Sequence, residues 1–163
     1  MHKIAAAIIL FLAMTFTVGC SSIDCSLNSL VHTQYAFRTA YGEPDTLRDT
    51  LTVTARTMHG DTILLNMASD ITEFSLPVSY SLDSDTLMFR FRLKDGRAFD
   101  DQVILKKTNI SHFESVDCPP TFFHDIEDLQ HEGIAIDSLR VNDKHIDNGT
   151  EKKNIFIYLR SDM

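Results

Sequence analysis

Cys118 stands six residues from His112 on one side and six from His124 on the other. A thiol between two imidazoles is the first place to look for a nucleophile, because a thiolate needs a base within hydrogen-bond reach. Nothing else around it supports catalysis: no strand-to-helix elbow and no glycine-rich turn that could build an oxyanion hole. The carboxylate pairs Asp83/Asp85 and Asp100/Asp101 offer oxygen to a hard cation such as calcium. Their spacing lacks the ladder of oxygen ligands and the closing glutamate of a calcium loop, so they read as solvated turn carboxylates. The seven histidines are scattered, with no HExxH or paired-histidine metal spacing. No GxxxxGK[ST], GxSxG or GxGxxG string occurs. The residues thus predict no catalytic group, no metal and no cofactor.

The N-terminus does carry chemistry. His2 and Lys3 precede an apolar run from Ile4 to Phe16, which ends in small residues before Gly19-Cys20. That order of positive, apolar and small segments is a secretory signal, and the run is shorter than the roughly 20 residues of a membrane span. Thr17-Val18-Gly19-Cys20 resembles a bacterial lipobox, with Thr17 where leucine is usual. The resemblance implies cleavage before Cys20 and acylation of it, and several acyl chains anchor a protein where one does not. No aspartate follows Cys20 directly, and Asp24 is the only acidic residue close behind it. The expected place is therefore the outer membrane, lipid-anchored, on its periplasmic face rather than the cell surface.

With Cys20 acylated, Cys25 and Cys118 remain. Two thiols in an oxidising compartment predict one disulfide. It would close a loop of roughly 94 residues, for which the chain-entropy account gives about 4–5 kcal/mol.

Asp-[Ser/Thr]-[Leu/Ile] occurs five times, at Asp45-Thr46-Leu47, Asp49-Thr50-Leu51, Asp61-Thr62-Ile63, Asp85-Thr86-Leu87 and Asp137-Ser138-Leu139. This resembles the O-glycosylation signal of Bacteroides-type bacteria, which makes Thr46, Thr50, Thr62, Thr86 and Ser138 candidate acceptors. The same tripeptide is also strand-opening grammar, an aspartate closing a turn and a β-branched residue starting a strand.

The elements that hold these residues are strands. The chain has 163 residues, 44% hydrophobic, enough for one domain with a core. It carries 15 basic and 23 acidic side chains, a net charge of −8, with no basic stripe for nucleic acid. Apolar residues alternate with period two in Val31–Tyr41, Leu51–Ala55, Ile63–Met67, Phe74–Tyr80 and Leu87–Leu93. Pro77 marks its run as an edge or a bulge. Asp95-Gly96 predicts a type I′ hairpin turn into a return strand reaching about Thr108. Phe113, Val116 and Cys118 suggest another short strand. A phase slip at Asp137-Ser138 predicts a bulge, and Ile155–Leu159, apolar on both faces, belongs inside a sheet. Over Thr121–Gln130, Phe122, Ile126 and Leu129 fit a helical face, though a strand is nearly as good. The sum predicts a mainly β fold, an antiparallel immunoglobulin-like sandwich of about 8–9 strands with at most one short helix near 121–130. Residues 1–19 form the signal peptide, 20–29 the lipid-anchored tether and 30–163 the sandwich.

Thr108-Asn109, the segment His112–Cys118, the stretch Ile134–Val141 with Asn142, and the end strand Asn154–Ile157 together resemble a domain family of unknown function. With the lipobox and Cys25, they resemble its short lipoproteins from Bacteroides-type Gram-negative bacteria. The resemblance implies a location and a β-rich fold, and no activity. The expected protein is a lipid-anchored envelope component, not an enzyme, with a structural or binding role. Its partners would be the membrane, through Cys20, and an envelope protein or glycan. The alternative is an envelope enzyme or a chaperone-like assembly factor.

Overall fold

A computed structural model describes residues 30–57, 60–113 and 115–161. Cys20, Cys25, the signal peptide and the tether lie outside the described residues. The described chain forms β1 (His32–Arg38), β2 (Thr50–Thr57), β3 (Gly60–Ala68), β4 (Glu73–Pro77), β5 (Ser84–Arg92), β6 (Ala98–His112), β7 (Thr121–Glu132), β8 (Ile136–Val141), β9 (His145–Ile146) and β10 (Ile155–Leu159). Four strands make one sheet in the order β4-β1-β10-β8, and six make the other in the order β3-β2-β5-β6-β7-β9. The two sheets pack as a sandwich, as expected of a domain with two apolar faces to cover.

The period-two alternation explains the core. Leu87, Phe89 and Phe91 of β5, and Val103 and Leu105 of β6, face inward with Leu51 and Val53 of β2. From the smaller sheet they meet Tyr35 and Phe37 of β1, Phe74 and Leu76 of β4, and Ile155 and Ile157 of β10. Aromatic rings join the sheets: Phe89 stands edge-on to Tyr35 and to Phe74, each at 6.2 Å between centroids. Tyr35 and Phe74 are stacked at 4.9 Å.

Three sequence expectations are met closely. β4, which ends at Pro77, is the edge strand of the smaller sheet, and β10 is interior to it. Tyr158 pairs with Ser138 and Leu159 with Ile136, so Asp137 is the extra residue of a bulge.

Other expectations need correction. The sandwich is not wholly antiparallel, because β1 runs parallel to β10, with Tyr35 opposite Ile155 and Arg38 opposite Tyr158. The region 121–130 is strand, not helix: it is β7, paired with β6 from Gln102 to His112. The reason for the helical look is a bulge. Lys106 pairs with Asp128 and Lys107 with Ile126, leaving Glu127 unmatched. The extra residue brings Ile126 and Leu129 to one face three positions apart, which imitates a helical repeat. Val116 and Cys118 are not strand; they lie on the turn between β6 and β7, and Phe113 lies just past the end of β6.

The β5–β6 turn is also of a different kind. Gly96 N–H donates to Leu93 O at 3.0 Å and Leu93 N–H to Arg97 O at 2.9 Å. Gly96 alone of the turn residues has positive φ, at 93°. A type I′ turn requires positive φ at both central residues; this is a three-residue loop with glycine at the left-handed position.

Candidate functional site

Strand β6 carries both ends of the interior polar network. Its inward phase runs through Val103 and Leu105, which places Asp101 before them and Lys107 after them on the buried face. Each holds a crossing between the sheets, and each does so by its own chemistry, lysine being only a donor and carboxylate only an acceptor.

Lys107 holds the crossing from β4 to β5. Its side chain has no solvent exposure and lies 3.6 Å from Asp85 Oδ2. Its Nζ donates to Leu82 O and, at 3.3 Å, to Asn109 Oδ1. Asn109 Nδ2 donates to Leu82 O at 3.2 Å and to Asp83 Oδ1 at 3.1 Å. Asp85 in turn accepts from Ser79 N–H at 3.3 Å. The segment 79–85 is thus pinned from below. His124 of β7 completes the cluster, with Nδ1 2.8 Å from Asn109 Oδ1. That oxygen already accepts from Lys107, so the hydrogen belongs on Nδ1.

Burial governs the protonation of this cluster. Loss of water pushes the His124 imidazole down to about 4, aided by the nearby Lys107 charge. It pulls Lys107 below its ordinary range against the opposing pull of Asp85. It raises Asp85, with Lys107 working the other way. Burial first, and the Asp85 charge second, pushes the Tyr35 phenol above its usual range. A lysine, a tyrosine and a carboxylate together could move protons, but this lysine is sealed from solvent and bonded to the backbone.

Asp101 holds the crossing from β7 to β8. Fully buried, it accepts from the N–H groups of Ile134 (3.0 Å), Ala135 (3.1 and 3.0 Å) and Ile136 (2.7 Å). A third crossing, from β9 to β10, is tied by Asn154. Its Oδ1 accepts from Gln34 N–H at 2.9 Å, and its Nδ2 donates to the carbonyls of His145 (2.8 Å) and Asp143 (3.3 Å). The acidic pairs are therefore not two solvated turns. Asp100 forms an exposed bidentate pair with Arg90 at 2.7 and 2.9 Å, while Asp101 and Asp85 point inward from strands. The inward phase of β5 and β6 carries these positions, and alternation alone could have found them.

The remaining sequence candidates are spread out. Cys118 is buried on the turn between β6 and β7, and its expected partner Cys25 lies outside the described residues. His112 stacks on Phe123 at 4.8 Å instead of meeting His124. Thr46 is exposed in the loop after β1, and Thr50 is half-buried at the start of β2. Thr62 in β3 and Ser138 in β8 are exposed, and Thr86 in β5 is half-buried. No group of three metal-ligating side chains occurs among the described residues.

Two clefts open beside these elements. One, of about 280 Å³, is walled by Ala55, Leu64, Val78, Tyr80, Leu87 and Asp85. The other, of about 460 Å³, lies in the polar loop between β9 and β10, lined by Asp143, His145, Asp147 and Lys152.

Searches of curated proteins and of solved structures find no match. Residues 50–159, from the first strand of the larger sheet to the end of β10, match a family of unknown function, DUF6452. That span covers most of the chain and includes Lys107, Asp101 and Asn154, whose side chains tie the three crossings, and the chain belongs to this family.

Proposed function

We propose that this protein is a lipid-anchored envelope component with a non-enzymatic structural or binding role, held to the periplasmic face of the outer membrane through Cys20. The scaffold would be an immunoglobulin-like sandwich, a reading supported by its two packed sheets, and its origin a Bacteroides-type bacterium, supported by the lipobox and the Asp-Thr repeats. One observation carries the non-enzymatic reading. The buried titratable groups Asp101, Lys107 and His124 are each bonded to backbone or amide groups that hold crossings in place. Such a site rigidifies loops, and loops on a rigid sandwich are where sandwiches bind partners.

Two measurements test the anchor and the pinning of the tether. Radiolabelled palmitate is expected to enter the wild type and not Cys20→Ser, and the variant is expected in the soluble fraction; equal labelling of both removes the anchor. Alkylation of the denatured, unreduced protein is expected to find neither Cys25 nor Cys118 reactive. Full labelling of both would show that the 20–29 segment is not tied to the β6–β7 turn.

A further inference from the structure

The strands place several exposed apolar side chains at one end of the sandwich. Leu30 leads into β1, and Val78 N–H donates to Val31 O at 3.1 Å, which sets the start of the described chain beside the β4–β5 crossing. On that crossing Tyr80 and Leu82 are exposed. Tyr80 stacks on Phe122 at 5.6 Å, and Phe122 pairs with Ser111 at the far end of β6. Just beyond lie Phe113, exposed, and Val116, which is 99% exposed. Leu30, Tyr80 and Leu82 share the walls of the 280 Å³ cleft. The apolar side chains are therefore neighbours at one end, although they come from three separate stretches of sequence.

The opposite end also exposes apolar side chains, Met67 near the end of β3 and Ile134 on the β7–β8 crossing among them, but the described chain does not begin there. Tyr41, 94% exposed, follows the other end of β1, with the β5–β6 turn of Lys94, Asp95 and Gly96 at the same end.

We propose that the end bearing Leu30, Tyr80, Leu82, Phe113 and Val116 rests on the lipid bilayer. This rests on the anchor reading, and what covers the patch follows from where the chain enters it. Residues 20–29 join the acylated cysteine to Leu30, and ten residues span at most roughly 33–36 Å. The short tether keeps this end at high effective concentration next to the membrane, so weak insertion of a few side chains suffices. The residue types suit the place: an aromatic ring with a polar tip, as in Tyr80, sits at the level of the headgroups, and aliphatic and phenyl side chains at loop tips enter the acyl boundary.

The chain has no tryptophan, so one introduced indole reports its own surroundings. Val116→Trp and Tyr41→Trp replace highly exposed side chains at the two ends. Each full-length lipidated variant is floated with vesicles of phosphatidylethanolamine and phosphatidylglycerol whose acyl chains are brominated. The expected result is flotation of both, with a blue shift and loss of most of the emission for Val116→Trp and little change for Tyr41→Trp. Flotation without quenching at Val116, or equal quenching at both positions, overturns the proposal while leaving the anchor intact. Failure of both to float overturns the anchor and the proposal with it. A blue shift of Val116→Trp that grows with protein concentration without vesicles assigns the surface to a second copy of the chain and also overturns it.

Discussion

At Gly133 there is no room for a methyl group. A Cβ built there would lie 2.1 Å from Asp101 Cγ, and the residue has a φ of 151°. The carboxylate can reach the N–H groups of Ile134, Ala135 and Ile136 because the backbone beside it carries no side chain. Gly96 provides the contrast: its φ is 93° and nothing lies within 4 Å of an added Cβ. Gly96→Ala is expected to cost about 1 kcal/mol, the conformational penalty alone. Gly133→Ala is expected to cost about 3 kcal/mol, since it also displaces a buried acceptor and leaves N–H groups without partners. Urea midpoints of the two variants check this, and similar losses would mean that Asp101 can move away freely. His124 gives a second residue-level prediction. Its folded pKa of about 4 lies below its ordinary 6.5, so the unfolded chain binds more protons between those values. The stability tied to neutral His124 is fully present above pH 6.5 and is lost as pH falls toward 4, by about 2 kcal/mol at pH 5. Unfolding at pH 7.5 and 5 should show His124→Gln losing less on acidification than the wild type by roughly that amount. Equal losses would place the acid sensitivity elsewhere.

At the scale of elements, what could be read from the sequence was what depends on neighbours in the chain. The β5–β6 hairpin, the edge position of β4 with its Pro77, the bulge at Asp137 and the interior place of β10 all follow from local periodicity and turn residues. The parallel pairing of β1 with β10 does not, because it joins residues about 120 positions apart and alternation is blind to direction. In β7 local pattern misled, since the unmatched Glu127 turned a strand period into one that looked helical. The polar ties were missed for another reason. Asp83/Asp85 and Asp100/Asp101 read as solvated turn carboxylates, whereas strand phase places Asp101, and Lys107 with it, on the same face as Val103 and Leu105. Their burial is tolerated because each is matched to the unpaired backbone groups of a crossing, so the cost of desolvation is met by hydrogen bonds. β3, the outer strand of the larger sheet, shows the same interplay. It is an open edge, yet its register shifts against β2 between Leu51 and Thr54, and Met67 has a φ of 49°. Such irregularity blunts an edge against pairing with another chain.

At the scale of the whole molecule, the two ends of the sandwich sort the Asp-Ser/Thr sites. Thr62 near the start of β3 and Thr86 near the start of β5 line the cleft at the end where the described chain begins, beside Leu30. Thr46, Thr50 and Ser138 lie toward the other end, near the loop after β1 and the first turns of β2 and β8. Four of the five stand inside strands, where the strand-opening grammar already accounts for them. Thr46 does not: it sits in a loop, exposed, with its N–H bonded to Asp45 Oδ1 at 2.8 Å. A modifying enzyme needs an accessible hydroxyl on a segment that can enter its own active site, which favours Thr46, then exposed Thr62 and Ser138, over half-buried Thr50 and Thr86. Replacement of Thr46 and Thr50 by valine keeps β propensity and removes both hydroxyls. If glycans are carried there, protein from the native host should lose more mass in the double variant than the side-chain change, and Thr46→Val alone should account for most of the loss. Protein from a host without that pathway should show the side-chain difference only. A native intact mass equal to the lipidated polypeptide would end the glycosylation reading, and the repeated aspartates would then be the turn-closing residues that the strand starts require.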